Sequence, residues 1–174
     1  MHSADEAILL ALAKLRSPLL NRAMSDVSSL GSPTVIVLIS VAAFSLLWIV
    51  RDHRGAARVV IAAAGAEMWL EILKRIFGRP RPTLVPYLVE FTGLSFPSGH
   101  ALAATATYVT LAVVTSRHMQ GYRSRVAVHF ICCAVVTMVS ISRIYLGIHY
   151  PSDVVGGVLF GILWFYVTGI MLRR

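Results

Sequence analysis

SRIYLGIHYPSD (residues 142–153) runs directly into VVGGVLFGILWFYVTGIML (residues 154–172). The second string contains no Asp, Glu, Lys or Arg. Its length is close to the ~20 residues that a helix needs to cross a bilayer. Its apolar residues run on without alternating, which argues against a strand. The first string places Ser142, Arg143, His149 and Asp153 at the mouth of that apolar run. Reading outward gives four more apolar runs, at about 33–50, 56–77, 100–116 and 125–145. Gly31-Ser32-Pro33 is a stop-and-cap signal before the earliest of them. The expected fold class is all-α, an integral membrane bundle of about five spanning helices.

Composition points the same way. The chain has 174 residues, 57% hydrophobic and 14% charged, with a mean hydropathy of +0.74. A soluble domain of this size carries far more charge, so lipid is the expected solvent. The net charge of +8 does not read as a nucleic-acid footprint, because the basic residues cluster between apolar runs and form no basic-aromatic stripe. Cys132 and Cys133 are adjacent within an apolar run. Neighbours on a helix point in different directions, so no mutual disulfide is expected.

Residues 1–174 read as one domain, with interfacial helices in 1–30 and the five spans in 33–172. Motif loops lie at 78–99 and 143–153. No cleavable leader is expected from the N-terminal residues. Ser3 and Glu6 have the spacing of a capping box. Ile8, Leu12, Leu15 and Leu19 then share one helical face, and Ser17-Pro18 breaks that helix and starts another. Residues 4–29 read either as amphipathic helices in the membrane interface or as helices packed across the ends of the spans.

Three strings carry the chemistry. They are Lys74 with Arg81-Pro82, Pro97-Ser98-Gly99-His100, and Ser142-Arg143 with His149 and Asp153. The span order brings all three to one side of the membrane. A transferring phosphoryl group spreads negative charge over its equatorial oxygens, so catalysis is mostly positioning and electrostatic stabilisation. Lys74, Arg81 and Arg143 supply three fixed cations, and arginine's planar fork matches two phosphate oxygens. Ser98-Gly99-His100 leads into a span, so its backbone N–H groups can face an anion. His149 can attack phosphorus through a ring nitrogen. Asp153, four residues later, can orient it as the carboxylate of a triad does. His100 can protonate the leaving oxygen and then activate water. A metal held by His100, His149 and Asp153 is disfavoured by three nearby cations. Considered singly, each string reads as ordinary boundary charge, an interfacial histidine or a helix-start turn.

These residues resemble the type 2 phosphatidic acid phosphatase family, which also includes vanadium haloperoxidases. Its signature is K-x6-R-P, P-S-G-H and S-R-x5-H-x3-D, and no motif position departs from it across about 74–153. The resemblance implies His149 as nucleophile, His100 as acid and base, and Asp153 as the orienter of His149. Lys74, Arg81, Ser98, Gly99 and Arg143 would hold phosphate. It implies no cofactor and no metal. The implied activity is a lipid phosphatase, with a polyprenyl diphosphate such as undecaprenyl diphosphate as the first expectation. Phosphatidylglycerophosphate, phosphatidate and lipid A phosphate stand as alternatives. A vanadate-dependent haloperoxidase and a non-catalytic lipid-binding or transport protein are the rival classes. The sequence assigns no oligomeric state.

Further expectations follow. Arg51, Arg54, Arg58, Arg117, Arg123, Arg125, Arg173 and Arg174 lie on the face opposite the motifs. They outnumber the motif-face cations left after phosphate takes its share, which places the site outside the cytoplasm. Residues 83–96 carry one charge, Glu90, among many apolar side chains, and read as an interfacial flap or as a short helix covering span ends. Glu67, Glu71 and Lys74 share a helical face. Gly157 and Gly161 form a small-xxx-small pair suited to close helix packing. His53, His118 and His129 carry no partner signal.

Overall fold

Ser17 and Ser32 each stand immediately before a proline, and both become helix N-caps. Their hydroxyls accept the Leu20 and Val35 N–H groups at 3.4 Å, with Pro18 and Pro33 opening the helices. Both arrangements follow from local chemistry, since proline loses nothing at a position whose N–H has no partner. In the computed structural model, the backbone of residues 2–172 is described, with side chains from Ala4 onward. The Ser3–Glu6 capping box and the charges of Arg173 and Arg174 lie outside the described residues.

The seven helices are α1 (His2–Ala13), α2 (Pro18–Ser29), α3 (Pro33–Ile49), α4 (His53–Phe77), α5 (Gly99–Ser116), α6 (Tyr122–Tyr145) and α7 (Pro151–Met171). No strand occurs among the described residues. The five apolar runs become α3 to α7, with boundaries moved by at most three residues. At α4 the start moves to His53 because Asp52 caps it, accepting the Gly55 N–H at 2.8 Å. Its end is fixed by Gly78, whose φ of +58° is a left-handed conformation that glycine adopts without strain.

α5 is the centre of the bundle and packs against α3, α4, α6 and α7. Its first turns, Ala101 to Tyr108, are buried throughout. They are almost all alanine and threonine, so neighbouring backbones approach closely. Gly157 and Gly161 of α7 complete that approach. A Cβ at Gly157 would lie 2.6 Å from the Ser98 carbonyl oxygen, and one at Gly161 would lie 2.8 Å from that of Leu102. The glycine pair is therefore a packing seam within the monomer.

Only α6 and α7 are individually long and apolar enough to cross a membrane, at 24 and 21 residues. α2 and α3 pass the same test as a pair bent by 48°. By length and composition the described residues thus give two spans, or three with the bent pair, where the sequence predicts about five. The physical reason is visible in the other two helices. α4 carries Arg58, Glu67, Glu71 and Lys74, and α5 turns small residues towards other helices. Neither needs an apolar surface all round.

α1 and α2 lie across the site-side ends of α6 and α7. Both sequence readings of this region meet here. Leu9 and Asp5 are buried, whereas Ile8, Leu10, Leu15 and Leu19 are exposed apolar side chains. Arg16 fastens the turn between the two helices by donating to the Tyr145 carbonyl at 2.9 and 3.2 Å and to that of Pro86 at 2.8 Å.

The segment between α4 and α5 contains no helix, so the short-helix reading of 83–96 is not met. Nor is it a free-standing flap. Val85 is buried, and Leu88, Val89 and Phe91 pack with Leu20 and Met24 against Tyr145, Leu146 and Ile148. This apolar content serves a satellite core beneath the loop.

Candidate active site

α7 begins at a junction that does two things at once. Asp153, at the third position of the helix, accepts the Tyr150 N–H at 2.8 Å and so caps the first turn. The same carboxylate faces His149, with Oδ2 3.5 Å from Nδ1. At that separation the two groups face each other without a hydrogen bond, and His149 Nδ1 has no hydrogen-bond partner. Asp153 is 0% exposed and His149 2%. Three more groups hold Asp153. The Ser95 hydroxyl donates to Oδ2, Arg79 Nη1 donates to Oδ1 at 2.7 Å, and the Asp153 carbonyl accepts the Ser98 N–H at 2.9 Å.

Arg81 is the other fixed point. Its guanidinium donates to the carbonyls of Gly93 (3.0 Å), Thr92 (3.0 Å) and Ile148 (2.9 Å), and it lies over the Phe91 ring at 4.6 Å. Nη1 also sits 3.2 Å from His149 Nε2. A guanidinium only donates. Nε2 is therefore the acceptor in this arrangement, and the ring proton belongs on Nδ1, facing Asp153. Burial pushes the His149 imidazole well down, to about 4, with Arg81 and Arg143 adding to the shift and Asp153 opposing it. The ring is neutral at neutral pH.

Arg143 arrives from the last turn of α6. It is 8% exposed and donates to the Ser28 hydroxyl of α2, while its Nε has no hydrogen-bond partner. A cavity of about 300 Å³ lies between these groups. Lys74, Arg81, Arg143, His100, His149 and Gly99 all border it, together with Glu67, Glu71, Glu90 and Phe91. Seven of the eight site residues expected from sequence thus surround one space or orient a residue that does. Glu67 and Glu71 face the same space, but no ion pair within 4 Å joins either to Lys74 among the described residues.

Ser98 departs from expectation. Its N–H is already bonded to the Asp153 carbonyl, and its hydroxyl is buried with no partner and is not part of the cavity wall. Ser98 offers no side-chain cap either. The N–H groups of the first turn of α5, beginning at Gly99, remain as the anion-facing end of that helix.

Sequence reading missed a second layer. Arg79 reads there as an ordinary boundary charge, yet it bridges Asp153, Ser152 and Asp5, with contacts of 2.7, 2.7 and 3.1 Å, and stacks over Tyr150. Asp5 in α1 accepts the Ser152 N–H at 2.9 Å and the Ser152 hydroxyl. Burial alone would raise its pKa, but the Ser152 and Arg79 hydrogen bonds prevail and hold it below its usual range. The Arg-Pro doublet at 79–80, directly before Arg81-Pro82, was the available signal for Arg79. Asp5 had none, because its partners Arg79 and Ser152 are 74 and 147 residues away in sequence.

His118 also has a partner the sequence did not disclose. It pairs with Asp52 at 2.9 Å on the opposite face, away from the cavity. Cys132 and Cys133 are both free thiols.

Comparison with known proteins matches residues 55–174 to the PAP2 superfamily. Phosphatidylglycerophosphatase B of Bacillus subtilis is 30% identical over 169 residues, covering 97% of this chain and 83% of that protein. The lipid A 1-phosphatase of Rhizobium johnstonii is 34% identical over 112 residues, covering 59% of this chain and 42% of its own length. Among solved structures, a transmembrane PAP2-type phosphatidylglycerolphosphate phosphatase from Bacillus subtilis aligns with a TM-score of 0.91 at 30% identity, covering 98% of this chain and 85% of that one. Aquifex aeolicus LpxE aligns with a TM-score of 0.74 at 26% identity, over 94% of this chain and 93% of its own.

Proposed function

This chain belongs to the PAP2 superfamily, and on that premise we propose how it acts as a membrane lipid phosphatase. The single observation carrying the reading is the convergence of His149, His100, Lys74, Arg81 and Arg143 on one cavity. His149 Nε2 attacks phosphorus while the P–O bond to the lipid breaks. His100 gives its proton to the departing oxygen. The phosphate is then carried on His149, whose Nδ1–H faces Asp153. In the second half, His100 takes a proton from water as the water oxygen attacks phosphorus and the N–P bond breaks. Arg81 must leave Nε2 for a phosphate oxygen before attack, so substrate binding itself frees the nucleophile. Lys74, Arg81 and Arg143 stabilise the equatorial oxygens with the α5 N–H groups around Gly99. These cations do what a metal would otherwise do, so no metal or other cofactor is required.

The substrate is a terminal phosphate of a membrane lipid, with a polyprenyl diphosphate such as undecaprenyl diphosphate as the first reading. Phosphatidylglycerophosphate is the second reading, favoured by the similarity to the Bacillus subtilis phosphatase over nearly the whole chain. A lipid tail has a route. An apolar groove of about 420 Å³ runs along α3 and α4 and meets the catalytic cavity at Pro33 and Glu67. Helices α3 to α7 are the five passes of a single domain spanning 1–174. Phosphate release from purified protein across polyprenyl diphosphate, phosphatidylglycerophosphate, phosphatidate and lipid A tests the reading. Turnover should survive EDTA and be inhibited by vanadate, which mimics the pentavalent transition state. EDTA loss restored by one divalent metal would overturn the metal-free scheme.

Two predictions belong here. Asp5 and Arg79 are positioning residues for Asp153. Asp5→Asn leaves Arg79 with one fewer counter-charge, so Arg79 draws harder on Asp153 and weakens its hold on the His149 ring, which gains positive charge as Nε2 bonds to phosphorus. The expected result is a fall in kcat of about tenfold with KM little changed. Asp5→Glu should restore part of it. Equal losses in kcat and thermal stability for both variants would show a merely structural role.

The second concerns orientation. The site opens to the periplasmic or extracellular side, with residues 83–96 bordering lipid entry. Cysteines at Thr83 and Thr92 should react with an impermeant thiol reagent in intact cells. A cysteine at Ser124 should react only after permeabilisation, with Cys132 and Cys133 removed. The reverse labelling pattern would refute the orientation.

A further inference from the structure

Glu67 stands where two spaces join. It lines both the apolar groove along α3 and α4 and the catalytic cavity, and Pro33 is the other residue they share. Among the described residues lining the groove, Glu67 alone is ionisable; around it are apolar side chains such as Ile36, Val37, Phe44 and Val60. It is half-buried. No hydrogen bond and no ion pair within 4 Å holds its carboxylate among the described residues. Glu71 and Lys74 act on it through space, from one and two turns further along α4. In a membrane protein, an ionisable group within a helix faces the bundle interior or a ligand path. A carboxylate beside an apolar wall is unfavourable until a donor joins it.

Helix α4 fixes what this carboxylate meets. Lys74 is seven residues from Glu67 on the cavity side, and Val60 is seven residues from it along the groove. Each interval is about 10 Å of helix. A lipid with its phosphate between Lys74 and His149 and its tail against Val60 carries the atoms joining the two past Glu67. Resting on the lipid-phosphatase reading and on the groove as the path of the tail, we propose that Glu67 is a specificity-determining residue. Its carboxylate accepts a hydrogen bond from a hydroxyl of the leaving group, on the few carbons next to the phosphate ester oxygen. Glycerol and sugar hydroxyls both have this chemistry. A second phosphate at that point is an acceptor, and it brings negative charge to a carboxylate that already has Glu71 one turn away. Glu67 thus raises turnover of hydroxyl-bearing monoesters relative to that of a diphosphate, whichever the wild-type protein cleaves faster.

Phosphate release by purified protein from three lipids tests this. They are lysophosphatidate, the same lipid lacking its hydroxyl, and farnesyl diphosphate. Wild-type kcat/KM should favour lysophosphatidate over the deoxy lipid by about tenfold, the worth of a hydrogen bond to a charged group. Glu67→Leu should bring that ratio close to one and raise turnover of farnesyl diphosphate relative to the deoxy lipid. Glu67→Gln keeps an acceptor oxygen without the charge and should fall between; its ratio decides the matter if Glu67→Leu does not fold. Glu71→Gln removes the same charge one turn nearer Lys74, outside the groove, and should change lysophosphatidate and the deoxy lipid alike. Turnover of the deoxy lipid reports that each variant is folded. A wild-type ratio near one, a ratio unchanged in both Glu67 variants, or the same shift in Glu71→Gln would overturn the role of Glu67 and leave the phosphatase reading in place. No phosphate release by the wild-type protein from any lipid would remove that reading, and the role of Glu67 with it.

Discussion

Replacing His149 with alanine is expected to abolish phosphate release from every lipid, a loss on the order of 10^4 or more, as for removal of a nucleophile that acts as a unit with its partners. The side chain is 2% exposed, so the variant leaves a void but exposes little new surface. His100→Ala should slow both halves of the reaction by about two to four orders of magnitude, the usual worth of general acid-base assistance. The two variants differ in a second respect. Phosphoenzyme trapped by acid-free quenching should persist longer in His100→Ala and be absent in His149→Ala. The pH dependence gives an independent check. Because the His149 imidazole in the free enzyme sits at about 4 and not 6.5, protonation of the nucleophile should cut kcat/KM only as pH falls towards about 4. A loss centred near 6.5 and abolished together with His149 would contradict this. Near-normal turnover by His149→Ala would remove the phosphohistidine scheme altogether.

Arg81→Lys is expected to have the next largest effect, and it separates geometry from charge. Lysine keeps the positive charge but not the fork. The guanidinium spans the Thr92, Gly93 and Ile148 carbonyls and reaches His149 Nε2. A single ammonium cannot hold all four. Loss of one fixed donor to developing charge costs roughly two to three orders of magnitude in kcat, and the freed carbonyls should also lower the thermal unfolding temperature. Arg81→Ala should be worse on both readouts. If Arg81→Lys retained wild-type kcat, phosphate recognition would rest on charge alone, carried by Lys74 and Arg143.

By itself the sequence determined the helical class, the five apolar runs that become α3 to α7, and the candidate site residues that surround one cavity. These are local properties. An uninterrupted apolar run cannot be a half-exposed strand, Ser32-Pro33 caps a helix, and a histidine two residues before a proline-opened helix lies close to an aspartate in that helix's first turn. The sequence also held the glycine seam at Gly157 and Gly161. Only the tertiary structure decided what crosses long stretches of chain. Asp5 and Ser28 join the site through partners more than 100 residues away, and no local pattern predicts such a contact. Arg79 looks like any boundary cation until Asp153 is beside it. Residues 83–96 read as an interfacial flap or a short helix because apolar side chains in a loop carry no period, and packing alone revealed the core of Leu20, Met24 and Ile148 that they cover. α4 and α5 form as helices but by length and composition together fall short of a spanning helix. A helix surrounded by other helices, or facing a charged site, is relieved of the need to be apolar, and only packing shows which helices are so placed.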